Sequence, residues 1–443
     1  MDNDTKSNSN TENTGFSSIA GFLLTAIGCA LGIGTFWRFP YLCGTNGGAI
    51  FFIVYVLIIL LIGLPLLTAE ITLGYKTQST AVNAYKSLSK PGSKWHMTGY
   101  IHLMAATILL SYVAPIYIWV LTYVWRTATG FFEGMDPGQI SASFDSLNAD
   151  WKLLLLFAVI NWALNWLVVR KNLNAGVEKV STFMIPALGV IMIVVIIAGL
   201  RQPGAIEGVK FLFSPNMEEM TWRSVSEALS QSFYALGLGL LASIVFGSYI
   251  KKKKENILKD SCTIGVSIIL AGVMAGLMIF PLVFSFGLEP SSGVGLTMIA
   301  MPNVFNNMAG GRIVGTIFYI GFYFAAFTSS IGVNEAIVAV LMDMFGIKRQ
   351  KAVNISFIIF ISVGLFAILN TTAFNILDTI TSNYLITLGV FFMSVFVGWI
   401  WGADNFVAAT NVKSPLLKNW LKYSIKYVCP VAILVIFISS FIL

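Results

Sequence analysis

The chain has 443 residues, of which 57% are hydrophobic and 11% are charged, and its mean hydropathy is +0.81. A soluble protein of this length would carry about 25% charged residues, so the composition indicates a membrane protein. The net charge of +7 does not indicate nucleic-acid binding, because the lysines and arginines lie in short loops, where they set membrane orientation. The four cysteines have no paired spacing, so neither a disulfide framework nor a metal site is expected. The two histidines belong to no Ser/His/Asp or Cys/His set, so an enzyme is not expected.

The chain begins with a polar stretch and continues with eleven apolar runs. Residues 1–14 lack the basic region and the cleavage site of a signal peptide, which predicts a disordered cytoplasmic tail. Each run is long enough for a helix of about 20 residues that crosses a bilayer. The pattern predicts an all-α polytopic membrane protein with about eleven transmembrane helices, near residues 17–41, 47–74, 97–126, 152–169, 177–200, 225–250, 260–287, 312–342, 352–370, 374–402 and 419–443.

Loop charges differ between the two sides of the predicted membrane. Lysines or arginines follow every even-numbered run, for example at 251–254 after the sixth run. The loop at 133–150, after the third run, is acidic and contains neither. The positive-inside rule therefore places the N-terminus in the cytoplasm and, with eleven helices, the C-terminus outside.

Two of the apolar runs contain glycines that oppose a continuous helix. Gly28, Gly32 and Gly34 interrupt the first run, and Gly237 and Gly239 interrupt the sixth. Each glycine costs about 1 kcal/mol of helix propensity relative to alanine. Such glycines are also typical of closely packed membrane helices. One interrupted helix in each half of the chain, however, indicates a transporter whose binding site lies at the bilayer midplane.

The paired breaks predict two five-helix repeats that are inserted with opposite orientation. We expect the first repeat at 15–200 and the second, inverted repeat at 201–403, followed by a loop and the eleventh helix at 404–443. Inverted symmetry of this kind places the two broken helices face to face across a pseudo-two-fold axis.

Polar side chains inside the apolar runs are the candidates for function. Thr328 and Ser329 offer hydroxyl oxygens to a small cation, although buried hydroxyls also bond to the carbonyl four residues back. Glu70 is a rare intramembrane acid that either accepts hydrogen bonds from unwound amides or lies at the cytoplasmic interface. Arg38 and Asp378 carry opposite charges at one predicted depth, which predicts a salt bridge that shuts an outer gate.

Several motifs resemble those of the neurotransmitter:sodium symporters, a family that includes the bacterial leucine transporter. The resemblance covers nearly the whole chain and lies in residues 32–41, 46–48, 63–65 with Glu70, 328–330, Asp378 and 381–383. It implies a multi-pass protein of a bacterial-type plasma membrane with a 5+5 inverted repeat and broken helices 1 and 6. It also implies sodium-coupled symport of a small molecule by alternating access.

By position, the resemblance implies a set of functional residues. A sodium site is implied at Gly28, Leu31, Ala325, Thr328 and Ser329. A substrate site is implied at Ala30, Ile33, Gly34, Leu109, Val113, Tyr234, Ala235, Gly237, Leu240, Ser329 and Val333. The implied extracellular gate is Arg38, Asp378 and Tyr234, and the implied intracellular gate is Phe16, Tyr249 and Asp343. Glu70 is expected to brace the unwound sixth helix.

Departures from the family pattern change what the site is expected to bind. Thr35 stands where the family usually has asparagine, Ala235 where it has threonine, and Ser267 or Ile268 where it has a second asparagine. All three positions are ligands of the family's second sodium site, so we expect that site to be weak or absent. Val113 replaces the tyrosine that holds an amino acid's carboxylate, which predicts a substrate whose carboxylate is absent or held differently.

The predicted substrate is a small organic solute in a roomy pocket, chiefly an amino acid with an apolar or aromatic side chain. Tyr112 or Tyr117 would hold a carboxylate if the third helix were rotated. An amine or another solute without a carboxylate is the alternative. A channel and a non-transporting membrane sensor agree less well with the gates and the short tails. Chloride dependence and oligomeric state stay open.

Overall fold

The computed structural model describes residues 15–32, 34–215, 217–251, 256–288 and 295–439, and the predicted tail at 1–14 lies outside them. The first half of the chain contains helices α1 Ile19–Ala30, α2 Gly34–Thr45, α3 Ala49–Thr77, α4 Ala81–Leu88, α5 Met97–Ala128, α6 Pro137–Ala149, α7 Trp151–Val169 and α8 Asn174–Leu200. The second half contains α9 Ala205–Phe213, α10 Trp222–Leu236, α11 Ala242–Tyr249, α12 Ile257–Ser285, α13 Met301–Asn307, α14 Gly311–Phe345, α15 Arg349–Leu369, α16 Thr371–Ile400, α17 Ala403–Ala409 and α18 Pro415–Tyr423. A π-helical turn, Ser424–Val428, joins α18 to a last helix, α19 Cys429–Ser439. The described residues contain no strand.

Eight helices of the described chain are long and apolar enough to cross a membrane, and the bent pair α1 and α2 makes a ninth span. The shorter pair α10 and α11 occupies the predicted sixth span. The predicted eleventh span coincides with α18, its π-helical turn and α19. The prediction of an all-α membrane protein with broken first and sixth helices is confirmed.

The first break lies between α1 and α2, whose axes differ by 52°. The side chain of Ser18 caps the start of α1 by accepting a hydrogen bond from the Gly21 N–H at 3.0 Å. In a continuous α-helix the Thr35 N–H would bond to the carbonyl of Leu31. It donates instead to the Gly32 carbonyl at 3.2 Å, so the regular helical pairing is interrupted here.

The second break lies between α10 and α11 and depends on left-handed backbone. Gly237 and Gly239 have φ angles of +64° and +77°, a region that glycine enters without strain. The N–H groups of Gly237 and Leu238 bond back to the last turn of α10, as in a Schellman cap. Leu241, the residue before α11, also has a positive φ of +67°, so the break continues up to the start of that helix.

Helices α3 and α11 cross closely because each contributes a glycine to the contact. A Cβ atom on Gly74 would collide with the Ile244 carbonyl and lie 2.7 Å from the Ser248 nitrogen. A Cβ atom on Gly247 would collide with the backbone of Ile71. Small residues let membrane helices approach to backbone contact, so this crossing fixes the lower half of the second broken helix on α3.

A methyl group at this crossing is expected to destabilise the protein. We expect Gly74→Ala to cost about 1–3 kcal/mol, because the backbone of α11 would have to move to make room. Gly189→Ala is the matched control, since a Cβ atom there would meet nothing within 4 Å. Thermal unfolding in detergent measures both changes, and equal midpoints for the two variants would contradict the close crossing.

Candidate transport site

Oxygen atoms from α1 and α14 converge at the first break. Thr328 Oγ1 lies 3.1 Å from the Gly28 carbonyl and 3.1 Å from the Ala325 carbonyl. The same hydroxyl also bonds to the carbonyl of Phe324 four residues back, as buried hydroxyls in membrane helices commonly do. A Cβ atom on Gly28 would lie 3.2 Å from the Thr328 Cβ, so only glycine permits this approach. The result is a set of neutral oxygens, the donor type that holds sodium at broken helices.

Ser329, the residue after Thr328, lines a cavity. A Cβ atom on Gly32 would lie 2.7 Å from Ser329 Oγ, which shows how closely the hydroxyl approaches the unwound backbone. Both residues also line an enclosed cavity between the two breaks. No group of three or more His, Cys, Asp or Glu side chains suited to a metal ion occurs among the described residues. The cluster therefore suits a monovalent cation held by neutral oxygens.

The enclosed cavity has a volume of about 40 Å³, enough for about three water molecules. It is smaller than the roomy pocket expected from the sequence, because aromatic rings close it. Nine predicted substrate residues line it, namely Ala30, Gly34, Leu109, Val113, Tyr234, Gly237, Leu240, Ser329 and Val333. Ala235 was also predicted to contact the substrate, but it is completely buried and does not line the cavity. Ile33 lies outside the described residues.

Tyr117, which was considered from the sequence as a carboxylate partner, also lines the cavity. Sequence reasoning missed other lining residues: Phe22, Ala26, Cys29, Gly32, Leu67, Ile71, Leu236, Ala242, Ser243, Phe246 and Ile264. Helical spacing could have identified some of them. Phe22, Ala26 and Cys29 precede Ala30 at intervals that place all four on one face of α1. Tyr117 likewise follows Val113 by four residues, so the cavity keeps a tyrosine from α5 one turn beyond the position that holds valine.

The carboxylate of Glu70 lies at the second break. Glu70 is completely buried, and its Oε1 atom accepts a hydrogen bond from the Gly239 N–H at 2.7 Å. That contact pairs an amide that the missing turn of helix leaves without a carbonyl partner. Of the two positions considered from the sequence, Glu70 therefore occupies the one beside the unwound amides.

The predicted outer salt bridge is not formed, although both residues belong to the described chain. The Arg38 guanidinium donates to Ser230 Oγ at 3.3 Å and lies 5.3 Å from the centroid of the Tyr234 ring. Asp378 accepts instead from the Tyr112 hydroxyl at 2.6 Å. The predicted salt bridge is absent because hydroxyl groups donate to the Asp378 carboxylate, and the face of the Tyr234 ring partly compensates the charge of Arg38.

An aromatic cluster around Phe16 forms the floor of the cavity. The Phe16 ring lies 5.4 Å from the Phe22 ring, 5.8 Å from the Phe246 ring and 6.1 Å from the Tyr249 ring. Phe22 and Phe246 line the enclosed cavity, whereas Tyr249 lines a larger cavity of about 610 Å³ at the predicted cytoplasmic end. The Phe16 cluster therefore separates the two spaces.

Polar contacts hold this floor in place. The Ser17 N–H donates to the Glu178 carboxylate at 3.0 Å, which ties the start of the described chain to α8. The Tyr249 hydroxyl donates to Glu335 at 3.2 Å, and Glu335 forms an ion pair with Arg349. Asp343, which was predicted for the same gate, accepts from the Thr80 N–H at 2.9 Å and lines the larger cavity. Glu335 and Arg349 were not predicted from the sequence.

Comparisons with known proteins identify the family. The model of the sodium:neurotransmitter symporter family matches residues 14–133 and 130–443. The chain belongs to the sodium:neurotransmitter symporter family. Members of this symporter family are sodium-dependent transporters and not enzymes, so this chain is a multi-pass, sodium-coupled transporter of a small molecule.

Two curated symporter relatives cover almost the whole chain. A Bacillus subtilis protein described as the uncharacterized sodium-dependent transporter YhdH is 34% identical over 439 residues, or 96% of this chain and 97% of its own. An uncharacterized sodium-dependent transporter of Haemophilus influenzae is 30% identical, with the same coverage of both chains. The crystal structure of MhsT in complex with L-phenylalanine has a TM-score of 0.88 and 31% identity, and covers 96% of this chain and 99% of that chain.

The positions expected to form the symporter family's second sodium site are largely apolar. Ala235 and Ile268 are completely buried, and Ser267 Oγ bonds to the Thr263 carbonyl one turn back. Thr35 keeps a buried hydroxyl that has no hydrogen-bond partner among the described residues. Thr35 therefore offers a hydroxyl oxygen where the family usually has an asparagine side chain.

The buried ion pair below the floor yields a stability prediction for this symporter. The Glu335 side chain is completely buried and that of Arg349 is 15% exposed. We expect Glu335→Gln to cost about 3–5 kcal/mol, because it leaves a buried guanidinium without its anion. The double variant Glu335→Gln with Arg349→Gln should cost less than the sum of the two single variants. Thermal unfolding in detergent tests this, and additive losses would contradict a coupled pair.

Proposed function

We propose that this symporter imports an amino acid with an apolar or aromatic side chain together with one sodium ion, by alternating access. The observation that carries the proposal is that Ser329, the residue after Thr328, lines the cavity and approaches the unwound backbone at Gly32. An ion and a solute bound there would share one hydroxyl group. Binding of either would then favour the same closed arrangement of α1 and α14.

Sodium is assigned to the carbonyls of Gly28, Leu31 and Ala325 and the hydroxyls of Thr328 and Ser329. The ion bridges α1 and α14 and so stabilises the conformation in which the first break is closed. Its inward movement supplies the work of import, since each charge that crosses 100 mV provides about 2.3 kcal/mol. A second sodium site is proposed to be weak, because Ala235 and Ile268 offer no side-chain oxygen.

The solute is assigned to the enclosed cavity. Leu109, Val113, Leu240 and Val333 form apolar walls, and MhsT, the similar solved structure, was crystallised with L-phenylalanine. With room for about three water molecules, the closed cavity admits an apolar side chain only after lining side chains turn outward. Tyr234 is the proposed lid, since its ring packs so closely on Gly34 that a Cβ atom there would collide with it.

An amine without a carboxylate is the second candidate substrate. Val113 offers no hydroxyl where a carboxylate would be held, which favours this candidate. Tyr117 favours the amino acid, because it brings a phenol group to the same cavity one helical turn away. The two candidates therefore differ in whether the carboxylate strengthens binding.

The proposal includes the orientation of the protein in the membrane and the residues that close each side of the cavity. The N-terminus is cytoplasmic, the C-terminus is outside, and the repeats span 15–200 and 201–403 in a bacterial-type plasma membrane. Arg38, Tyr234 and Asp378 close the outer side by forming the salt bridge that is open in the present conformation. The Phe16 cluster closes the inner side and separates to release the cargo.

Native Cys29 provides the test in a Cys262→Ser background, because Cys29 lines the cavity and Cys43 and Cys429 are completely buried, whereas Cys262 is partly exposed. Formation of a mixed disulfide between Cys29 and a small methanethiosulfonate reagent should slow in the presence of sodium. It should slow further when L-phenylalanine is added with sodium, and less with phenethylamine, the amine that lacks the carboxylate. Equal protection by both ligands would favour the amine candidate, and no protection by sodium would contradict the proposal.

Variants locate the ion in the same experiment. We expect Thr328→Ala with Ser329→Ala to abolish sodium protection of Cys29, because two oxygen ligands are lost. Ser330→Ala is the matched control on the same helix, since its hydroxyl donates to Asn165 at 2.7 Å, away from the cluster. Sodium protection that survives in the double variant would refute the assigned ion site.

A further inference from the structure

A buried cluster of titratable side chains lies beside the second break, outside the transport cavity. His102 on α5 is completely buried, and its Nε2 atom lies 3.3 Å from the hydroxyl of Tyr85 on α4. Tyr85 is also completely buried and lies within electrostatic reach of Glu70 on α3. None of the three lines the cavity or belongs to the sodium cluster, so the transport site makes no use of His102 or Tyr85.

Two polar atoms of this cluster have no hydrogen-bond partner among the described residues. They are Oε2 of Glu70 and Nδ1 of His102, and both are shielded from solvent. A buried polar atom without a partner costs about 1–3 kcal/mol, and more when the group is charged. A bound proton lowers this cost, because it neutralises the carboxylate or places a cationic imidazole near the anion.

The cluster contacts the backbone of the second break. The Gly239 N–H donates to Glu70 Oε1 at 2.7 Å, and the His102 ring interacts with the same glycine's backbone. On its other side the ring faces Gly389 of α16, where a Cβ atom would lie 3.7 Å from Nε2. The acid and the imidazole thus approach Gly239 from two different helices.

No other charged side chain takes part in the electrostatic surroundings of the cluster within the described ranges. Ser243 of α11 is the additional side chain that interacts with Glu70, and α16 contributes the backbone of Gly389 to His102. The Tyr85 ring packs on Phe396 of α16, 4.9 Å between centroids. The charge of the cluster therefore acts mainly on the break itself.

We propose that Glu70, Tyr85 and His102 form a proton-binding site that controls the shape of the second break. In the present conformation the Gly239 N–H stabilises the Glu70 carboxylate, so this conformation favours the cluster without its proton. A conformation in which Gly239 moves away removes that donor, and the cluster takes up one proton from bulk water. By linkage, acid favours the rearranged break and alkali the present one. The proton belongs to the coupled cluster and not to one residue.

One consequence rests on the proposed function, whereas the proton site itself does not. If sodium binds the present, closed conformation, protons and sodium oppose each other, and the effect is reciprocal. One proton then changes the apparent sodium affinity by at most about tenfold per pH unit. Acidification weakens sodium binding and alkali strengthens it.

Histidine NMR tests the proton site without sodium or substrate. The full chain contains two histidines, so ¹⁵N-histidine labelling gives two signals, and His96→Asn assigns them. We expect the His102 signal to shift between pH 5 and pH 9 and this shift to be lost or displaced in Glu70→Gln. Tyr85→Phe removes only a hydroxyl and should displace the shift as well, which keeps the test valid if Glu70→Gln does not fold. A His102 signal that is constant over this range, or unaffected by the variants, overturns the proposal.

Modification of Cys29 by the same methanethiosulfonate reagent tests the coupling to sodium. The sodium concentration that gives half-maximal protection should rise several-fold from pH 8 to pH 6 in the wild type and in His96→Asn. It should not change with pH in His102→Asn. An equal pH dependence in His102→Asn and the wild type overturns the coupling. If sodium protects at no pH, the proposed function fails, and the NMR titration still decides the proton site.

Discussion

The structure depends on the requirement that every backbone polar group inside a bilayer finds a partner. Two membrane helices are broken, and each break interrupts the backbone hydrogen bonds of its helix. Different groups bond to the backbone at the two breaks. At the first break Thr328 approaches the Gly28 carbonyl, and the Thr35 N–H bonds to the Gly32 carbonyl instead of the Leu31 carbonyl of a regular helix. At the second break Glu70 accepts the Gly239 N–H. Carbonyls at one break favour a cation, and an amide at the other favours an anion.

The same logic explains how the site is closed. The floor is formed mainly by aromatic rings around Phe16, which exclude water without directional bonds. The ion pair of Glu335 and Arg349 and the bond from Ser17 to Glu178 hold the helices that carry those rings. On the outer side Arg38 and Asp378 have other partners, so the present conformation is shut below the cavity and has no charge pair above it.

Local signals in the sequence predicted much of this architecture. Apolar runs gave eleven spans, and paired glycines gave both breaks, because helix propensity and span length are properties of short segments. Thr328, Ser329 and Glu70 were recognisable because polar side chains are rare inside membranes. Phe22 was missed but could have been found from its spacing to Ala30, whereas Tyr117 was already a candidate for the substrate's carboxylate.

Other features depend on contacts between distant segments and could not be predicted in this way. The sequence shows that Arg38 and Asp378 have opposite charges. It does not show that Ser230 bonds to Arg38 and Tyr112 to Asp378 instead. The small volume of the cavity follows from the directions of several rings at once. The sequence shows His102 only as a residue of a predicted helix, whereas the structure places it beside Tyr85 of α4 and the second break. Such contacts are set by tertiary packing.

Amide hydrogen–deuterium exchange tests the central claim most directly. The account predicts that amides at residues 31–35 and 237–241 exchange faster than those of the flanking helices when sodium is absent. Sodium should slow exchange at the first break, and sodium with bound solute should slow it at both. Slow, uniform exchange through both segments, unaffected by sodium, would contradict the claim that two unwound segments bind the cargo.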